Sequence, residues 1–328
     1  MVFFICYYYA KFARNNPNLL TVFHSISDFK STRKTIVTLG TFDGVHIGHK
    51  KILEKLLQNT AEGTYESLIL TFFPHPRMIL QEASEIKLLN TISERALLLE
   101  QTGLDYLIIH PFDKAFSQLT AEEFVKNVLV GQFNIHKIII GHDHRFGKNR
   151  TANIDDLILY GKQYGFEVEQ ISVEEINAVS VSSTKIRNAI VAGEITLAKA
   201  YLGYDYFLTG TIIKGKQLGR TIGFPTANLH IEEDYKLIPQ NGVYLVKCSI
   251  AGIETFGMMN IGTNPTVGGR NQSIEIHFFD FESNLYGTEI AVSILHRLRD
   301  EQKFESLESL TAQLQKDKNT CLSYLQSL

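Results

Sequence analysis

Four short, almost uninterrupted apolar runs in the first half of this 328-residue chain restrict its fold more than any other feature. They lie at 35–39, 67–71, 106–109 and 137–140, and each is the length of one strand. Runs of that kind, with no polar alternation, belong to strands buried on both faces, as in a parallel sheet covered by helices. Helical patterns separate them. Ile52, Leu53, Leu56 and Leu57 mark one helix face, opposite Lys51, Glu54, Lys55 and Gln58. Ala96, Leu97, Leu98 and Leu99 mark a second helix, and Phe124, Val125, Val128 and Leu129 a third.

Beyond position 205 the pattern changes. Stretches at 206–213, 243–246, 273–279 and 290–295 read as strands between turns rich in Gly, Asn and Pro, which favours an antiparallel barrel or sandwich. A last helix is expected from about Ser306, with Leu307, Leu310 and Leu314 on one side. Between the halves, Ile186 and Ile190, then Ala198, Tyr201 and Leu202, predict two short helices broken at Gly193. The expected division is an extension at 1–18, an α/β domain at 19–183, a helical connection at 184–204 and a mostly-β domain at 205–328.

Composition sets limits on partners. Lys and Arg total 32 against 35 Asp and Glu, a net charge of −3, so no bulk attraction to nucleic acid or an anionic membrane is expected. Cys6, Cys248 and Cys321 are far apart with no CxxC, which predicts reduced thiols and a cytoplasmic protein. The apolar opening at 1–10 is too short for a span and lacks a basic n-region. It reads as a dispensable extension or an early-assigned start; a strand or interaction segment and membrane contact are the alternatives.

Two segments carry the chemistry of the front half. Gly40-Thr41-Phe42-Asp43-Gly44-Val45-His46-Ile47-Gly48-His49 is a strand end, a glycine-bearing turn and a helix start. That order offers free backbone N–H groups and a positive helix end to a phosphate. His46 and His49 can donate to phosphate oxygens as charge builds in transfer, and Gly48 is expected to leave room for a nucleotide. Downstream, Ser182-Ser183-Thr184-Lys185-Ile186-Arg187 predicts a second phosphate-binding helix end. Ser182 or Ser183 is its N-cap, and Lys185 and Arg187 are its cations. A turn with two solvated histidines and a well-capped surface helix are the plain readings of the two segments.

The back half has its own constellation. Gly215, Gly219 and Gly223 punctuate a loop holding Lys214, Lys216 and Arg220, which alone is weak evidence. Thr226 and Asn228 follow Pro225, and a hydroxyl and an amide oxygen two residues apart suit one hard cation such as Mg²⁺. Turn or capping roles are the alternative. In the strand at 273–279, Ile274, Ile276 and Phe278 share one face and Glu275 and His277 the other. A carboxylate centred in an apolar strand needs solvent, a partner or a task; Glu275 is the best-placed base for an alcohol attacking ATP.

Taken together, the first two segments resemble the HxGH nucleotidyltransferases, specifically the adenylyltransferase half of bacterial bifunctional riboflavin kinase/FAD synthetases. Thr71-Phe72-Phe73-Pro74-His75-Pro76 and Gly141-His142-Asp143-His144-Arg145-Phe146-Gly147 resemble two further segments of that family. GRTIGFPTANL, NGVYLV, NIGTNPT, IEIHFFDFESNLYG and LRDEQKFESLESL are similar to its riboflavin kinase half, in the same order. The resemblance covers roughly 20–325. It implies a Rossmann-like sheet followed by a six-stranded barrel. It implies ATP contacts from Thr41, Phe42, Asp43, Gly44, Gly48, Ser183, Thr184, Lys185, Gly215, Gly219 and Gly223, with His46, His49 and Arg187 acting on phosphates. Flavin contacts are implied for Phe73, His75, Asp143, Arg145 and Arg299, magnesium contacts for Thr226 and Asn228, and base catalysis for Glu275.

His144 departs from the family, which usually has Phe there. The pair His142 and His144 could instead suggest zinc, although no third ligand is identifiable. The implied activity is riboflavin plus ATP to FMN, then FMN plus ATP to FAD, with small-molecule partners only and an undetermined oligomeric state. A neutral ribityl hydroxyl needs a base, whereas FMN already presents a phosphate anion; this explains a carboxylate in one half and cations in the other. The alternatives are a kinase with a degenerate front half, an adenylyltransferase for a pantetheine or nicotinamide phosphate, and a non-catalytic flavin-binding protein.

Overall fold

The computed structural model describes residues 19–80, 85–141, 145–171, 181–215, 217–266 and 269–327, with the side chains of 264–271 left aside. Two compact units part between Ser183 and Thr184. The first holds six strands: β1 (Thr21–Phe23), β2 (Thr35–Leu39), β3 (Glu66–Phe72), β4 (Tyr106–His110), β5 (Ile135–Ile140) and β6 (Glu167–Gln170). All pair in parallel, in the order β1-β4-β3-β2-β5-β6. The four expected strands form the centre, and β1 and β6 are edges that the sequence pattern did not reveal.

Both faces of this sheet are buried, which is why its strands read as continuous apolar runs. Val37, Leu68, Leu70, Ile108, Ile138 and Ile140 join one core cluster with Phe124, Val125, Val128 and Leu129. Ile36, Ile69, Leu107, Ile109 and Ile139 join the other with Leu53, Leu56 and Leu99. Alternate residues of each strand thus feed two different cores. The helix expected at 124–129 is present as a π-helical stretch, Phe124–Val130.

Strand order also locates the ligand crevice. β2 has β3 on one side and β5 on the other, so the chain winds outward from β2 in both directions. In open α/β sheets ligands bind outside the carboxyl ends of the strands at such a reversal. Leu39 ends β2 there, and helix α1 (Ile47–Thr60) begins eight residues later.

The second unit starts with the two anticipated short helices, Ser183–Val191 and Ile195–Leu202. Next come β7 (Phe207–Ile213), β8 (Ala227–His230), β9 (Gly242–Ile250), β10 (Ile253–Thr266), β11 (Gly269–Phe278) and β12 (Glu289–Arg299). They close into an antiparallel barrel in the order β10-β11-β8-β7-β12-β9. Neither β8 nor β10 was anticipated as a strand. The C-terminal helix Leu307–Gln326 begins where expected and is capped by Ser306, whose hydroxyl accepts from the Ser309 N–H. Its packing face differs in part from expectation. Leu307 is 63% exposed, while Leu314 packs as expected and is joined by Cys321, Tyr324 and Leu325 against Val243, Leu245, Met258 and Phe279 of the barrel.

Candidate active sites

In the first unit, segment 40–46 turns tightly out of β2. Phe42, Gly44 and Val45 take positive φ values of 47°, 89° and 36°. For two non-glycine residues this conformation costs on the order of 1–3 kcal/mol each, so surrounding contacts must impose it. Asp43 supplies several. Its carboxylate is fully buried and accepts the Leu89 and Asn90 N–H groups at 2.9 and 3.3 Å. Arg95 Nη2 lies 3.6 Å from the same oxygen. The Asp43 carbonyl accepts the Ser183 hydroxyl at 2.9 Å, and the Thr41 carbonyl accepts the Thr71 hydroxyl at 3.2 Å. The Asp43 side chain, expected at the nucleotide, therefore faces inward and braces the loop.

His46 caps α1, its Nδ1 accepting the His49 N–H at 3.3 Å. An accepting Nδ1 places the proton of neutral His46 on Nε2. The two imidazoles stack with centroids 3.7 Å apart, and Phe42 lies 5.0 Å from the His49 ring. His49 Nδ1 is buried with no hydrogen-bond partner among the described residues. Burial, then His46, then Arg95 hold the His49 pKa well below the ordinary 6.5. His49 is thus ordered, desolvated and poor in protons, a state that an approaching polyanion would reverse.

Gly48 also has a structural task. A Cβ there would stand 3.2 Å from the His46 ring, so the glycine makes room for the histidine stack. The helix Ser183–Val191 starts at Ser183, leaving Ser182 at the capping position. Thr184 and Lys185 on it are exposed and Arg187 is half-buried. Phe73 is half-buried; His75 is buried and its Nδ1 accepts the Arg77 N–H at 3.1 Å, at the start of helix Pro76–Leu80. Arg145 is exposed, and His142, Asp143 and His144 lie outside the described residues.

The barrel brings its predicted residues together. Thr226 donates its hydroxyl to the Glu275 carboxylate at 3.1 Å. Asn228 pairs with Glu275 in the β8–β11 register, so the two share a face. A Cβ on Gly215 would overlap the Asn228 amide, and one on Gly219 would overlap the Phe224 carbonyl. These two glycines therefore let the loop lie against Thr226 and Asn228. Gly223 has φ +81°, which an L side chain rarely adopts. His277, two residues beyond Glu275, is buried with Nδ1 2.9 Å from the Pro225 carbonyl, and so supports the Thr226 segment.

Arg299 sits elsewhere in the barrel unit. Its guanidinium grips Asp317 of the C-terminal helix through contacts of 3.0, 3.0 and 2.6 Å. Gln313 supports the same carboxylate at 2.8 Å. What this arrangement accounts for is attachment of the helix. Sequence reasoning also passed over Arg95, which is 2% exposed on helix Ile92–Glu100. A lone cation before the apolar run 96–99 was the available signal.

Comparisons with known proteins agree with this division. The FAD synthetase family profile matches residues 28–185, and the riboflavin kinase profile matches 202–325. A bifunctional riboflavin kinase/FMN adenylyltransferase of Haemophilus influenzae is 36% identical over 292 residues, covering 89% of this chain and 94% of its own. Enzymes of the same description from Listeria monocytogenes and Escherichia coli K12 are 36% and 34% identical, covering 93% and 92% of their own lengths. A solved structure described as a macrolide-efflux protein from Streptococcus pneumoniae superposes with a TM-score of 0.83 at 30% identity, over 92% of this chain and 98% of that one. No helix among the described residues is long and apolar enough to cross a membrane. Two matched profiles in series and relatives aligned over nearly their whole length lead to one conclusion: the chain belongs to the bifunctional riboflavin kinase/FMN adenylyltransferase family.

Proposed function

We propose that the chain makes FMN and ADP from riboflavin and ATP in its barrel unit, then FAD and diphosphate from FMN and ATP in its parallel-sheet unit. The observation that carries this reading is the Thr226–Glu275 hydrogen bond with Asn228 opposite, a base and two neutral oxygen donors in one place. Hydroxyl, amide and carboxylate oxygens are hard donors, which fit magnesium. Thr226 and Asn228 would hold the ion. Bound magnesium supplies charge neutralisation on the ATP phosphate oxygens. Glu275 takes the proton of the ribityl hydroxyl as that oxygen attacks the γ-phosphorus.

The other unit has no comparable need for a base. FMN brings an anionic oxygen that attacks the α-phosphorus directly, and the obstacle is repulsion between two polyanions. The positive end of α1, the Nε2–H of His46 and the protonation that a phosphate induces on His49 oppose that repulsion. Thr184, Lys185 and Arg187 are assigned to the ATP phosphates, and Phe73, His75, Asp143 and Arg145 to the flavin side. Arg299 is assigned to the flavin of the barrel unit, next to its grip on Asp317. The buried free thiols Cys248 and Cys321 suit a cytoplasmic enzyme. A kinase with a decayed front half is disfavoured, because the FAD synthetase profile spans that half. Incubation of the purified chain with riboflavin, ATP and magnesium, followed by flavin chromatography, should show FMN and then FAD. FMN that accumulates without any FAD would sink the second activity.

A further inference from the structure

We propose that Arg95 is a positioning residue for adenylyl transfer, holding the 41–49 loop in its reactive shape through Asp43 and Thr71; this rests on the reading that the parallel-sheet unit forms FAD. The Arg95 side chain touches both anchors of the loop. Its Nη2 lies 3.6 Å from Asp43 Oδ1, and its Nη1 donates to Thr71 Oγ1 at 3.4 Å. Asp43 in turn ties the loop to the Leu89 and Asn90 backbone, while Thr71 ties it to the Thr41 carbonyl.

These two Arg95 contacts are long. A buried ion pair with such geometry adds little stability, and an apolar side chain of similar size often does as well. Its cost is better explained by what it does to the loop and to His49. Burial is the largest influence lowering the proton affinity of His49; His46, stacked upon it, and then Arg95 add to it. Arg95 thus adds to the burial that disfavours a proton on His49, and its two contacts hold the loop in which Phe42 and Val45 keep their positive-φ conformation.

The test compares wild type, R95M, R95K and D43N in the full chain. FMN-to-FAD rates are measured across pH, with riboflavin-to-FMN rates as a reading from the other unit. A displacement of about 1 Å at a catalytic site can cost about 10²-fold in rate. R95M should therefore lose about 10²-fold in kcat for FAD formation, with a smaller change in KM for ATP and unchanged FMN formation. The alkaline limb of its FAD pH profile, where His49 gives up its phosphate-induced proton, should move to higher pH, because His49 loses a repelling cation. R95K, which keeps the charge but not the planar fork, should recover part of the rate and most of the profile. D43N should resemble R95M in rate.

The proposal is overturned if R95M forms FAD at the wild-type rate with an unmoved profile, or if FMN formation falls in step. Should R95M not fold, R95K decides alone: a slower FAD step with intact FMN formation supports the role, and a wild-type FAD rate overturns it. A wild-type chain that makes no FAD would instead refute the reading of the whole unit.

Discussion

Glu275→Gln is the sharpest perturbation of the barrel site. Gln has the same shape, and its carbonyl oxygen can still accept the Thr226 hydroxyl, now 3.1 Å from Glu275. The β8–β11 pairing at this position uses backbone groups only, so the barrel should stay intact. What disappears is the capacity to take a proton. Positioned general bases contribute roughly 10²–10⁴-fold, or about 2.7–5.4 kcal/mol of barrier. FMN formation from riboflavin should fall by that factor, with a minor change in KM for ATP. Supplied FMN should still be converted to FAD at the wild-type rate. Both are read from one chromatogram of the three flavins. A variant that keeps FMN formation within about threefold of wild type, below the range expected of a base, would refute the argument. So would equal loss of both steps in a folded protein.

Three further outcomes follow from the geometry. His49→Ala removes one member of the stacked pair; FAD formation should drop at least ~10²-fold while FMN accumulates, read on the same chromatogram. Asp317→Ala leaves Arg299 without its bidentate partner at a site where the two side chains are 16% and 4% exposed. Breaking such a pair costs about 3–5 kcal/mol, so urea unfolding followed by circular dichroism should show an earlier transition for the barrel unit. Acid should weaken the fold through its histidines. Burial is the leading cause that depresses His49, His110 and His277 below 6.5. Below that pH the unfolded chain binds more protons than the native one, so their contribution is complete above about pH 6.5 and fades as pH falls. Urea midpoints at pH 7.5 and 5.5 check the sign; equal or higher stability at the lower pH would refute it.

Much of this organisation was legible in the sequence, for physical reasons that also explain the gaps. Central strands of a doubly covered sheet must be apolar throughout, so β2 to β5 announced themselves. The edge strand β6, Glu-Val-Glu-Gln, is exposed or half-buried along its length and lacks that signature. β10 contains Gly257, Gly262 and Pro265 and reads as a turn-rich stretch, yet pairing with β9 and β11 makes it the longest strand described. Motif spacing singled out His46, His49, Thr226, Asn228 and Glu275 as candidates for the chemistry. It could not say which way a side chain turns. Asp43 points inward because Leu89, Asn90 and Arg95 lie there, and those partners are about 50 residues away in sequence. The same holds for Arg299, whose partner is on the C-terminal helix.

That helix has a consequence for how the protein is born. It covers Val243, Leu245, Met258 and Phe279, and Arg299 cannot meet Asp317 until the helix has emerged from the ribosome. The parallel sheet, by contrast, is complete once β6 has been synthesised. The adenylylating half can therefore mature while the phosphorylating half is still a nascent barrel with greasy staves showing, and a stalled ribosome would leave the cell a chaperone client at only one end of the molecule.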